Sequence, residues 1–168
     1  QTQASEDVVL ANASGTVIDY NPIAVPNQTD HSWGRSPNGS ANWRIFTTVT
    51  PNASNSATSY AAYATTPNIT PASGGYTGSV TVAITTPDPA ITIRYTNNGD
   101  FPTTGSTLYS GPFTINLTPR VIRAIAISSD PAILPSYVET NTYFIDVAPH
   151  TVKILSLSGA GVATLFNG

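Results

Sequence analysis

Val80-Thr81-Val82-Ala83-Ile84-Thr85, then Ile91-Thr92-Ile93-Arg94-Tyr95 after Pro87-Asp88-Pro89, then the turn Asn97-Asn98-Gly99-Asp100, decide the fold class. Apolar and polar residues alternate with a period of two, so each segment offers one face to a core and one to water. Asn98-Gly99 supplies the positive φ angles of a tight hairpin turn. Downstream, Phe113, Ile115 and Leu117 repeat the alternation, and Val121 to Ile127 is apolar on both sides, as in a central strand. An antiparallel β-sandwich is expected.

Composition agrees. The 168 residues suffice for one large domain or two small ones, and 14 prolines with 12 glycines suit many short strands joined by turns. No stretch sustains a helical period, so the whole chain reads as all-β. Only 9% of residues are charged, against about 25% in an average domain, so solubility rests on hydroxyls and amides. A net charge of -3 with six scattered Lys and Arg gives no basic stripe, which argues against a nucleic-acid partner. No run approaches the roughly 18 apolar residues of a membrane span. Cysteine is absent, which removes disulfides and thiol chemistry. Methionine is absent too, which predicts either a removed leader before Gln1 or a fragment. Few charges, no cysteine and abundant Thr, Ser and Asn suit a secreted bacterial β-module, at the cell surface or beyond it.

Upstream of the deciding stretch, Val8-Val9-Leu10 begins a strand, Asn12-Ala13-Ser14-Gly15 turns and Thr16 to Tyr20 returns. A polar loop leads to His31-Ser32-Trp33-Gly34-Arg35, a turn at Pro37-Asn38-Gly39-Ser40, and a short strand with Trp43, Ile45 and Phe46. Thr50-Pro51-Asn52-Ala53-Ser54-Asn55 closes the segment. The order of these motifs over Val8 to Asn55 resembles the closing part of a lamin-tail domain, an immunoglobulin-like sandwich. The earlier strands of that family have no counterpart here. Asn55 to Thr66, rich in Ser, Thr and Ala, reads as a linker, with Tyr60 and Tyr63 as residues able to dock it on a neighbour.

From Pro67 a second resemblance begins. Pro67-Asn68-Ile69-Thr70-Pro71-Ala72-Ser73-Gly74-Gly75-Tyr76, Ile93-Arg94-Tyr95-Thr96 with its glycine turn and Pro102-Thr103, Leu108-Tyr109-Ser110-Gly111-Pro112-Phe113 and Ile122-Arg123-Ala124-Ile125-Ala126 arrive in order. Together they resemble the chitobiase/β-hexosaminidase C-terminal-type module, with Tyr137 to Tyr143 as its close. That resemblance implies a small immunoglobulin-like sandwich serving as an accessory module of secreted bacterial proteins. After Asp146 to His150, Val152, Ile154, Leu155 and Leu157 form a strand-like segment, and Gly159 to Phe166 is apolar. This end resembles the entry to a spore-coat-protein-H kinase-like domain, too little of it to carry an activity. The expected organisation is residues 1–55 as a partial lamin-tail-like sandwich and 56–66 as linker. Residues 67–145 form the chitobiase-C-terminal-like sandwich, and 146–168 a terminal strand segment or the start of a further domain.

Reactive groups are sparse and dispersed. His31 and His150 sit in different segments, and the carboxylates occupy turns. A metal site needs three or four converging ligands and a glycosidase needs two facing carboxylates. Asn97, Asn98 and Asp100 have oxygens for calcium, but a hairpin turn explains them with fewer assumptions. No phosphate loop, zinc helix or serine elbow is present. No catalytic, metal or cofactor-binding residue is therefore expected. Trp33, Tyr95 and Tyr109 are the candidate glycan contacts, while Trp43 suits a core.

A half sandwich exposes an apolar face and an unpaired edge. The chain is then a piece of a larger protein, or its first part folds onto the second module, or a neighbouring subunit supplies strands. For the last case Val8, Val9 and Leu10 at one end, and Val152, Ile154, Leu155 and Leu157 at the other, are the candidate strand-exchange contacts. A head-to-tail contact of this kind propagates into a fibre. The expectation is a non-catalytic structural or adhesive module whose partners are other protein subunits, self-assembly included. A carbohydrate-binding accessory module, with surface polysaccharide as partner, and the lead-in to a kinase-like enzyme are the alternatives.

Overall fold

The computed structural model describes residues 6–23, 27–147, 154–158 and 162–166. The strands along the chain are β1 (Glu6–Ala11), β2 (Val17–Ile23), β3 (Ser32–Arg35), β4 (Trp43–Phe46), β5 (Ala62–Tyr63), β6 (Asn68–Thr70), β7 (Gly74–Tyr76) and β8 (Val80–Thr85). They continue as β9 (Ile91–Thr96), β10 (Thr107–Leu108), β11 (Phe113–Ile115), β12 (Arg120–Ser128), β13 (Ile133–Leu134), β14 (Glu139–Ile145), β15 (Ile154–Ser158) and β16 (Val162–Phe166). No helix occurs among the described residues, so the protein is all-β there. Its contacts form two compact units. One is Gln1–Thr66 with Thr86–Thr92 and Ile125–Tyr137, the other Pro67–Thr85 with Ile93–Ala124 and Val138–Gly168.

The second unit is built from the alternating segments. A five-stranded sheet, β10-β9-β12-β14-β7, and a three-stranded sheet, β11-β8-β6, share one apolar interior. On β8, Val80, Val82 and Ile84 are buried while Thr81 and Thr85 are exposed. Ile69, Ile93, Ile115, Ile122, Ala124, Tyr143 and Ile145 complete this core. β12 lies third of five, and Ala124, Ile125 and Ala126 are buried in succession, which fits its run of apolar residues.

Asn141, on the inward face of β14, is the polar exception in this core. Its amide Nδ2 donates to the carbonyls of Ile69 (3.0 Å) and Pro71 (3.2 Å), and Ser73 Oγ donates to its Oδ1 (3.2 Å). Tyr143 O–H donates to the same Pro71 carbonyl at 2.7 Å. These bonds tie the 69–73 segment of one sheet to β14 of the other.

β8 and β9 lie in different sheets, and in the turn between them the Asp88 carboxylate accepts the Ala90 N–H (2.9 Å). Two local expectations are corrected. Asn98-Gly99 turns the chain, with Gly99 at φ 88°, but the strand that returns is β10 beyond the loop 97–106, with Thr107 opposite Tyr95. The turn residues are occupied with one another: Asp100 N–H donates to Asn98 Oδ1 (3.1 Å) and Asn98 Nδ2 to Asp100 Oδ2 (2.6 Å). A Cβ on Gly99 would lie 3.5 Å from Val121 Cβ, so the turn lies against the start of β12. β11 ends at Ile115, which leaves Leu117 exposed. Two pairings are parallel, β7 with β14 and β5 with β13; the others registered are antiparallel.

In the first unit, β1 and β2 pair antiparallel around a side-chain turn: Asn12 Oδ1 accepts the N–H groups of Ser14 (3.1 Å) and Thr16 (2.8 Å), and Gly15 takes φ 86°. β3 and β4 pair so that Trp33 faces Ile45 and Arg35 faces Trp43. Ile45 then exchanges both backbone hydrogen bonds with Tyr60 (2.9 and 2.8 Å). The segment expected to be a linker therefore runs beside β4. Within it β5 pairs with β13 and Ala64 is buried, its N–H donating to the Leu134 carbonyl (2.8 Å). Ile45 and Phe46 form the centre of this unit's core. Trp43, expected in the core, is only half-buried, with the Arg35 guanidinium 5.0 Å from its ring centroid.

Candidate functional site

The pairing of Trp33 with Ile45, and of Ile45 with Tyr60, places β3, β4 and the 60–66 segment side by side. Between them lies a groove of about 260 Å³, lined by Trp33, Ile45, Ala62, Tyr63, Ala64, Thr65, Thr66 and Tyr137. Small residues at 62 and 64 leave the space that aromatic rings then wall. Tyr137 is positioned by its neighbour Ser136, whose N–H donates to the Ala126 carbonyl (2.9 Å). The Ser136 hydroxyl accepts the Ala126 N–H (2.9 Å) and donates to the Tyr137 carbonyl (2.7 Å).

The two tyrosine rings of the groove touch, with centroids 5.3 Å apart and planes at 60°. Tyr63 is fixed at its hydroxyl: it accepts the Gln28 N–H (3.1 Å) and hydrogen-bonds His31 Nδ1 (2.7 Å), while Gln28 Nε2 donates to the Pro135 carbonyl (2.9 Å). Burial raises the pKa of Tyr63, and burial followed by the nearby Tyr63 raises that of Tyr137, so both phenols are neutral at physiological pH. Trp33 is half-buried, and its indole Nε1 is sealed from solvent with no hydrogen-bond partner. The part of Trp33 that meets solvent is therefore carbon. No charged side chain lines the groove.

The other candidate glycan contacts lie in the second unit. Tyr95 stacks on Phe113 at 4.8 Å and 16°, and Tyr109 meets both rings edge-on at 6.2 and 6.4 Å. The Tyr109 hydroxyl accepts the Ile84 N–H (3.0 Å). Both tyrosines are half-buried in this three-ring cluster. Trp33 is thus the one of the three at the groove, and its companions Tyr63 and Tyr137 came from a stretch read as linker and from a closing segment. The signal for the former was a pair of tyrosines in an otherwise small-residue run.

Of the candidate strand-exchange residues, Val8, Val9 and Leu10 lie on β1 at 49%, 51% and 57% exposure, and Val17, Ile18 and Tyr20 across the hairpin are also exposed. Ile154, Leu155 and Leu157 lie on β15, where Leu155 is in register with Leu165 and Leu157 with Ala163. Val152 and His150 fall outside the described residues. Among the described residues no three His, Asp or Glu side chains converge as metal ligands would, and no helix is long and apolar enough to cross a membrane.

The family model of the chitobiase/beta-hexosaminidase C-terminal domain matches residues 71–133, an immunoglobulin-like β fold. The match contains Tyr95, Tyr109 and Phe113 and none of the groove residues. No curated protein and no solved structure gives a significant match to the chain.

Proposed function

We propose that this chain is a non-catalytic, extracellular accessory module that holds a polysaccharide. The observation that carries this proposal is the groove walled by Trp33, Tyr63 and Tyr137, whose carbon surfaces and flanking threonine hydroxyls suit a ligand with apolar ring faces and polar edges. The likeness of residues 71–133 to a domain found at the end of carbohydrate-processing enzymes supports the setting. Co-sedimentation of the full chain with insoluble polysaccharides, against Trp33→Ala, tests it. Retention that drops with the substitution supports the proposal, and equal retention by both proteins, or by neither, ends it.

A second function, self-association, is favoured by the β1–β2 hairpin. A two-stranded sheet is barely stable alone in water, and this one exposes Val8, Val9, Leu10, Val17, Ile18 and Tyr20. The resemblance of Val8 to Asn55 to the closing part of a lamin-tail domain is in keeping with a neighbouring subunit that pairs with that hairpin. Light scattering on chromatographed protein separates the cases. Assembly abolished by Leu10→Lys and Ile18→Lys together supports it, and a monomer at high concentration refutes it.

A further inference from the structure

We infer that the Trp33–Tyr63–Tyr137 groove is a subsite for a single uncharged pyranose ring within a neutral polysaccharide chain, and that it rejects acidic polymers. This rests on the proposal of a polysaccharide site and adds the ligand's chemistry.

Size sets the first limit. At about 260 Å³ the groove lies just below the roughly 300–1,000 Å³ of pockets that enclose drug-sized ligands, so it accommodates one ring-sized unit. Shape sets the second. Trp33 offers carbon to the groove because its N–H is tucked away, and an aromatic face carries a partial negative charge. The axial C–H groups on one face of a pyranose are weakly positive, and they match that surface. Thr65 is exposed and Thr66 half-buried at the wall, and their hydroxyls both donate and accept, as the hydroxyls on a sugar's equator require.

Charge sets the third. Transferring a carboxylate or sulfate into this groove removes its hydration, and no lining residue carries a compensating cation. The nearby Arg35 is already engaged with Asp19 at 2.6 Å and with the Ser40 carbonyl at 2.6 Å. A protonated amine meets the same obstacle, since no lining carboxylate is present to pair with it. The uncharged ring is the ligand class left by all three limits.

Isothermal titration of the full chain with cellohexaose, xylohexaose, hexagalacturonate and chitosan hexamer, at low and high salt, tests this. Variants are Trp33→Ala, Trp33→Phe and Thr65→Glu, each checked for folding by circular dichroism. Thr65 is exposed, so the last variant changes the groove's mouth with little risk to the fold. Expected are binding of at least one neutral oligomer with less than a twofold change between salts, a loss of at least tenfold in Trp33→Ala and Thr65→Glu, and partial retention in Trp33→Phe. If the tightest groove-dependent ligand is the acidic or cationic oligomer, the neutral-ring inference is overturned while a polysaccharide site stands. If no oligomer binds, or binding ignores all three substitutions, both fall.

Discussion

Replacing Asn141 by Leu removes a polar group from the second unit's core while keeping its volume. The amide donates to two carbonyls, and they do not suffer equally. Pro71 keeps a second donor, Tyr143 O–H at 2.7 Å, so its loss is that of one ordinary bond, about 0.5–1.5 kcal/mol. The Ile69 carbonyl loses this donor, on a residue that is 3% exposed, and a buried acceptor left unmet costs about 1–3 kcal/mol. Ser73 is exposed and turns to water, so its bond to Oδ1 adds little. The expected total is about 1.5–4.5 kcal/mol, partly offset by the apolar side chain now buried. Urea unfolding followed by far-ultraviolet circular dichroism measures it as a lower midpoint at unchanged slope. Tyr143→Phe, which leaves Pro71 its Asn141 donor, is expected to cost about 1 kcal/mol. The double variant should lose more than the sum, because Pro71 then has neither donor. An Asn141→Leu protein within about 0.5 kcal/mol of the parent would refute the assignment of this amide as the tie between the 69–73 segment and β14.

Gly34→Ala is expected to destabilise the first unit by about 1–2 kcal/mol. Its Cβ would lie 2.8 Å from Asn55 Nδ2, which donates to the Arg35 carbonyl, and 3.1 Å from Phe46 Cε2; a thermal melt reads the effect, and a rise in stability counts against it. The Asp19–Arg35 hydrogen bond lowers the Asp19 pKa below the ordinary 3.8. A depressed carboxylate contributes stability above its unfolded pKa and loses it as pH falls through the folded one, so amide protection across β1–β2 should fade only below about pH 4. Asp19→Asn should flatten that acid limb, as hydrogen exchange can follow. Tyr63→Phe leaves the Gln28 N–H without its acceptor and frees His31 Nδ1, so the His31 ring resonances should broaden and shift, with stability falling by about 1 kcal/mol. Unchanged histidine spectra would show that the hydroxyl does not hold the ring.

The strands of the second unit were legible because their alternation is local: Val80, Val82 and Ile84 point the same way whatever they meet, since the period of two is a property of the backbone. The middle place of β12 was legible for a similar reason, as Ala124, Ile125 and Ala126 put apolar side chains on both faces in succession and are buried. Asn141 gave no such sign. Its role depends on carbonyls some seventy residues earlier in the chain that become its partners only when two sheets close. The Asn98-Gly99 turn was visible, but the strand that returns, β10, pairs with β9 only after the loop 97–106, which carries no alternation to announce it.

The groove shows the same division. Composition alone fixed a chain poor in charge, without cysteine, and built of strands, and from it came Trp33 as an aromatic to watch. That Trp33 shares a wall with Tyr63 and Tyr137, while Tyr95 and Tyr109 pack on Phe113, was decided by tertiary structure. Side-chain identity sets what a residue can do locally, but convergence requires hydrogen bonds such as Ile45 to Tyr60 and Ser136 to Ala126, which join segments with no periodic relation in sequence.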